Sequence, residues 1–254
     1  MTETLKVMTR GRGADLALLH GWGMHSGIWG SAADALARKY RLHLVDLPGH
    51  GINRHIPLPR DLVQVTELIM PAVPAAVWMG WSLGGLIALS AALRHSERVK
   101  KLVLVGATPS FSRQPDWDCG VGEDARRTFA SGLENDIEST LEQFFLQTFG
   151  PGWSGEALQR LGGKSPALTV PGKQNLLAGL ELLYGSNLIP ALNRCKMPAL
   201  YLGGTRDRTV MPESFERAAG LMPNAEAALI RGAGHAPFIT HEDSFLEIIR
   251  GFLA

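Results

Sequence analysis

The sequence predicts an α/β fold: a mostly parallel central sheet with helices on both faces and an inserted helical cap. Three observations predict it. Short apolar runs alternate with stretches of helical spacing along most of the chain. The runs have continuous apolar centres, such as LALL and LVLV, as in strands covered on both faces. One long stretch, 111–186, drops the alternation and contains no clear buried strand. The 254 residues, 45% hydrophobic and 19% charged, suffice for a large core in one domain or a domain with an insertion. A formal net charge of +1 gives no global attraction to nucleic acid or to a membrane surface.

Taken in order, residues 14–21 (ADLALLHG) read as a strand. Residues 27–40 read as a helix through Ile28, Ala32, Ala35 and Leu36, and 41–51 as a strand ending in a turn. Residues 75–79 continue into a strand, 80–85 into a Gly-rich turn and 86–93 into a helix. Further strands are expected at 100–109, 197–204 and 225–235, and a closing helix carries Phe245, Ile248, Ile249 and Phe252 on one face. Within 111–186, Gly and Pro punctuate short helices at 123–133, 136–149, 156–161 and 173–184. The second of these puts Ile137, Leu141, Phe144, Phe145 and Thr148 on one side. The expected division is a core of 1–110 and 187–254 with a cap of 111–186. The N-terminus lacks a charged segment followed by a long apolar one, and no run approaches about 18 apolar residues, so neither a signal peptide nor a membrane span is expected. Cys119 and Cys195, far apart, read as free thiols in a reducing compartment, which makes the cytoplasm the expected location. A monomer is expected as well.

Chemistry concentrates at MGWSLGG, residues 79–85. Gly80, Ser82 and Gly84 form G-x-S-x-G between a strand and a helix, where small neighbours relieve a crowded backbone and expose the serine hydroxyl. A Gly-rich turn with an incidental serine is the plainer alternative. A serine becomes a strong nucleophile only when a base takes its proton, and the base needs an orienting carboxylate. Asp207 follows one expected strand and His235 the next, in the order Ser, acid, His. Taken singly, Asp207 could be a turn residue or a partner of Arg206 or Arg208, and His235 a loop histidine; the ordered set favours a triad. An oxyanion site needs backbone N–H groups, for which Leu83 and Trp22 of the H-G-x-G loop are the candidates. His20 reads as a brace for that loop, and Asp46 and His50 as loop-shaping residues. No H-E-x-x-H, His/Asp cluster or phosphate-binding Gly loop is present, so no metal and no cofactor are expected.

The segments LLHGWGMHSGIW, HLVDLPGHG, WMGWSLGGLIA, GGTRDRTVMP and GAGHAPFITH together resemble the α/β-hydrolase fold. The combination of Trp22, Trp81 and HAPF is similar to the pimeloyl-acyl-carrier-protein methyl ester esterases of biotin synthesis. The resemblance is strong over 14–110 and 187–254 and loose over the cap. It implies a substrate methyl ester on a pimeloyl chain borne by acyl carrier protein, with Ser82 as nucleophile, His235 as base and Asp207 as its orienting acid. It also implies substrate contacts at Trp22, Ser82, Leu83 and His235. The family's F-L-A-L-Q segment has its counterpart in Phe144-Phe145-Leu146-Gln147, one residue shorter, with Phe144 and Gln147 expected at the acyl chain. Arg126, Arg127, Arg160 and Lys164 are the expected carrier contacts, although the cap holds ten acids against six basic residues. Other readings are a capped carboxylesterase, lactonase or C–C hydrolase acting on a small free substrate, and a non-catalytic receptor of the same fold.

Overall fold

Seven strands form a single sheet in the order β1-β3-β2-β4-β5-β6-β7. The computed structural model describes residues 4–150 and 170–254. The strands are β1 (Val7–Arg10), β2 (Ala14–Leu19), β3 (Tyr40–Val45), β4 (Ala76–Trp81), β5 (Val99–Val105), β6 (Ala199–Gly204) and β7 (Ala225–Ile230). Only β1 runs antiparallel to its neighbour, β3; the other five pairings are parallel. Leu16, Ala17, Leu18 and Leu19 are all fully buried. Successive strand residues point to opposite faces, so both faces of the sheet are covered there.

The helices are α1 (Gly30–Leu36), α2 (Leu62–Ile69), α3 (Leu83–Arg94), α4 (Glu123–Asn135), α5 (Ile137–Phe149), α6 (Lys173–Gly185), α7 (Glu213–Gly220), α8 (Pro237–Thr240) and α9 (Glu242–Leu253). The expected strands all form: β2, β6 and β7 are shorter than expected, β3 and β5 begin one residue earlier and end sooner, and β4 runs on to Trp81. The expected helix at 27–40 divides instead: a 3-10 turn over Ser26–Trp29 ends where Gly30 takes a φ of 41°, and α1 stops at Leu36. Four elements escaped the sequence reading: β1, α2, α7 and the one-turn α8. β1 is a four-residue edge strand with little apolar character. α2 carries a readable start, because Asp61 Oδ1 accepts the Gln64 N–H at 2.9 Å. α7 buries Ser214, Phe215, Ala218 and Ala219, a spacing of one helical face.

Between β5 and β6, α4, α5 and α6 cover the strand ends, and the described part of this stretch holds only two isolated bridges, Ser112 to Val121 and Gln114 to Trp117. The helix expected at 156–161 lies outside the described residues. No helix among the described residues is long and apolar enough to cross a membrane.

Candidate active site

The turn from β4 into α3 is built by close approach. A Cβ on Gly80 would lie 2.2 Å from Gly84 O, one on Gly84 would lie 2.4 Å from His20 O, and one on Gly85 would lie 2.4 Å from the Ala107 Cβ. Only glycine fits these three places. Ser82 has a φ of 54° and a ψ of −117° and is the one non-glycine with positive φ among the described residues. Such a backbone costs about 1–3 kcal/mol and persists only where its surroundings impose it. Here β5 does so: Ser82 N–H donates to Val105 O at 2.9 Å, and Ser82 O accepts from Gly85 and Leu86.

Asp207 and His235 sit on the loops that follow β6 and β7. His235 Nδ1 lies 2.8 Å from Asp207 Oδ2, and both side chains are fully excluded from water. The other carboxylate oxygen, Oδ1, accepts the Thr209 and Val210 N–H groups at 2.8 and 2.9 Å. With both its oxygens engaged, the carboxylate can hold the imidazole in one tautomer, N–H at Nδ1. That leaves Nε2 as a lone-pair acceptor; it is buried and has no hydrogen-bond partner.

Trp81, the residue before Ser82, joins the parts. Its indole N–H donates to His235 O at 2.8 Å. Its rings lie 5.6 Å from the His235 ring, 5.3 Å from Phe238 and 6.0 Å from Phe149 of α5. A Cβ on Gly21 would come within 2.8 Å of the same indole.

The loop after β2 presents Trp22 from a turn closed by Met24 N–H to Gly21 O at 3.3 Å. The Trp22 N–H takes no part in that bond. Leu83 is the first residue of α3, so its N–H has no partner within the helix. These are the two candidate oxyanion donors. The Trp22 indole reaches the other way: Nε1–H donates to Leu176 O of α6 at 2.8 Å, and the ring meets Phe144 edge-on at 4.9 Å. His20 braces the loop as expected. Its Nδ1 lies 2.8 Å from Gly21 O, and Nε2 accepts the Leu47 N–H at 3.0 Å. Burial, followed by the neighbouring His50, pushes its pKa down to about 3. Burial likewise pushes His50 down to about 4. Asp46 shapes the next loop by accepting Ser26 and Ile52 N–H groups.

A cavity of about 180 Å³ opens at Ser82. Trp22, Phe111, Val121, Ala125, Phe129, Phe144, Leu180 and Leu183 give it an apolar wall, and Gln147, Tyr184, Arg208 and Thr209 add polar groups. Phe144 and Gln147 therefore line the space beside Ser82, whereas Phe145 is buried and faces Phe149. The remaining wall residues, from Phe111 to Thr209, were not legible, because lining a cavity is a property of several elements at once. A second cavity of about 530 Å³ shares Leu180 and Tyr184 with the first and is lined by Arg60, Arg126, Arg127, Glu123, Glu134 and Glu181 among others. Arg126 and Arg127 both pair with Glu123, at 3.0 and 2.9 Å, and Arg60 pairs with Glu181. Arg160 and Lys164 lie outside the described residues. No group of three or more His, Cys, Asp or Glu that could hold a metal ion occurs among the described residues.

A protein of Xanthomonas oryzae pv. oryzae named pimeloyl-[acyl-carrier protein] methyl ester esterase is 41% identical over 96% of each chain. One of the same name from Stenotrophomonas maltophilia is 40% identical over 96% of this chain and 94% of its own. Among solved structures, an esterase from Exiguobacterium antarcticum superposes with a TM-score of 0.84 at 22% identity, covering 98% of this chain and 94% of that one. The family model for the alpha/beta hydrolase fold matches residues 16–242. With a parallel sheet, a Ser82 turn and loops after β6 and β7 of the kind that fold carries, the chain belongs to the alpha/beta hydrolase family.

Proposed function

We propose that the chain is a serine esterase that hydrolyses the methyl ester of pimeloyl-acyl-carrier protein, with Ser82, His235 and Asp207 as its triad. The observation that carries the chemistry is the buried Asp207–His235 pair with an unpartnered Nε2, beside a strained Ser82 at an apolar cavity. The substrate is inferred from relatives about 40% identical over nearly the whole chain.

His235 Nε2 takes the Ser82 proton as Oγ attacks the ester carbonyl. The Trp22 and Leu83 N–H groups bind the oxyanion that forms. Collapse expels the methoxy group, which leaves as methanol with the proton from His235. Water then gives a proton to His235 and attacks the acyl-enzyme; the second collapse returns that proton to Ser82 and releases a carboxylic acid, which ionises by losing its proton to solvent. Throughout, Asp207 keeps the imidazole oriented and stabilises its protonated form. Phe144 and the other apolar wall residues hold the acyl chain, and Gln147 contacts it.

In the same reading 111–186 is a cap on a core formed by 1–110 and 187–254, and the carrier's arm approaches along the second cavity. Arg126, Arg127, Arg160 and Lys164 are then the carrier contacts. The pairing of Arg126 and Arg127 with Glu123 and the acidic balance of the cap favour a second reading, a small free ester as substrate. Hydrolysis of the carrier-bound methyl ester beside a short p-nitrophenyl ester tests both. Fast turnover of the first, weakened by salt and lost in Ser82→Ala, supports the carrier substrate. Turnover of the small ester alone supports the second. Function that survives Ser82→Ala would mean a receptor.

A further inference from the structure

Two helices divide the cavity at Ser82 from the second cavity. α4 and α6 pack against each other and run antiparallel. Lys173 Nζ, at the start of α6, donates to Glu134 O near the end of α4 at 2.8 Å. At the other end the Arg126 guanidinium of α4 lies over the Tyr184 ring of α6, 5.3 Å from its centroid. Each helix turns one face to each cavity. On α4, Ala125 and Phe129 line the first, and Arg126, Ala130 and Glu134 line the second. On α6, Leu183 lines the first, and Leu177 and Glu181 line the second. Among the described residues only Leu180 and Tyr184 line both. They are four residues apart, so their side chains are neighbours on one face of the helix. The main chain at Tyr184 is fixed by Ser112, whose Oγ–H donates to its carbonyl. The half-buried ring is held under Arg126 by a contact weak enough to let it turn.

A substrate with its ester at Ser82 and its carrier arm in the second cavity must cross this partition. The second cavity suits a neutral, amide-bearing arm, because its guanidinium groups are already paired: Arg126 and Arg127 with Glu123, and Arg60 with Glu181. We infer that the crossing lies at Leu180 and Tyr184, and that Tyr184 is a specificity-determining residue that discriminates esters long enough to span both cavities from esters contained in the first. The inference deepens the proposed function and rests on its placing of the ester at Ser82 and the arm in the second cavity. A short methyl ester stays within the cavity of about 180 Å³ at Ser82 and does not reach the partition. A pimeloyl thioester runs through it. The crossing is made when the substrate binds, before the ester bond breaks, so it acts on KM more than on kcat. A wider ring at 184 has to press into a packed partition, which should cost the spanning ester about tenfold in binding.

The test measures methanol release from methyl butyrate and from the methyl ester of pimeloyl-pantetheine thioester. It uses wild type, Tyr184→Trp and Tyr184→Ala, with thermal melts to verify folding. Leu180→Phe, which enlarges the other shared residue, replaces Tyr184→Trp if that variant does not fold. The expected result is that the ratio of kcat/KM for the thioester to that for methyl butyrate falls about tenfold in Tyr184→Trp, through KM, and does not fall in Tyr184→Ala. An unchanged ratio in Tyr184→Trp overturns the inference. So does an equal fall in Tyr184→Ala, which would make the ring a contact for the arm and not the limit of the crossing. If wild type cleaves the pantetheine thioester but not the carrier-bound ester, the carrier reading fails and the ratio still decides Tyr184. If wild type does not cleave the thioester, calorimetric titration of it into Ser82→Ala and Ser82→Ala/Tyr184→Trp decides: weaker binding to the double variant upholds the inference, and equal binding refutes it.

Discussion

Lowering the pH from 7 to 5 should cost this fold several kcal/mol through two buried histidines that touch no substrate. His20 and His50 lie with ring centroids 5.1 Å apart, both buried, behind the loop that carries Trp22. Burial holds them neutral, His20 at about 3 and His50 at about 4. In the unfolded chain both return to about 6.5. A base whose folded pKa is depressed is protonated first in the unfolded state, so acid favours unfolding from about pH 6.5 down to the folded values. At pH 5 the gap of about 1.5 pH units, at about 1.4 kcal/mol per unit, amounts to about 2 kcal/mol for each histidine. The pair then removes about 4 kcal/mol of a total that is commonly about 5–15 kcal/mol. Protonating His20 would also set an N–H against the Leu47 N–H that Nε2 now accepts. The assay is urea unfolding at pH 7, 6 and 5 for wild type and His50→Phe. The variant should show a slope of stability against pH that is shallower by about 1.4 kcal/mol per unit, whatever its stability at pH 7. A wild-type stability that changes by less than about 1 kcal/mol over this range would refute the reasoning.

Three substitutions extend the argument to the site. Asp207→Asn can keep a carbonyl oxygen at the Thr209 and Val210 N–H groups only by turning its amide toward His235, which forces the wrong tautomer; kcat should fall by about 10³–10⁴ with the melting temperature little changed, and near-normal kcat would show that another group orients His235. Ser82→Gly relieves a positive φ and should raise stability by about 1 kcal/mol, or about 2–4 °C in Tm, while removing activity; a lowered Tm would mean that the serine backbone is unstrained. A Cβ on Gly179 of α6 would lie 2.6 Å from the Trp22 ring, so Gly179→Ala should displace that indole, change its fluorescence and lower kcat/KM about tenfold; unchanged kinetics would show that the cavity wall yields freely.

The strands and the order Ser82, Asp207, His235 were legible because each depends on a few neighbouring residues: an apolar run, a small-residue turn, a polar residue just beyond a strand. Phe144 was not separable from Phe145 in the sequence, since both fall on one side of α5 by spacing and the family's motif is one residue longer. The structure parts them through the position of Trp22. β1 was hidden because an edge strand of four residues, VMTR, needs no apolar alternation once β3 supplies its hydrogen bonds. Taken singly, Asp207 could have partnered Arg206 or Arg208; it takes neither, because His235 and two backbone N–H groups already occupy it. Which partner a carboxylate takes is decided by loops that are distant in the chain, and no local pattern records it.

Trp81 acts as a common datum for parts that arrive from separate regions of the chain. The Ser82 turn, the Gly21 approach, the His235 loop and Phe149 are each referenced to one rigid indole. Positional errors along a chain ordinarily accumulate from part to part; parts gauged against the same plane share its displacement instead, and their relative alignment is preserved. Drift in β4 would carry the nucleophile and the histidine loop together. A smaller residue at Trp81 would leave each part folded and let their tolerances add.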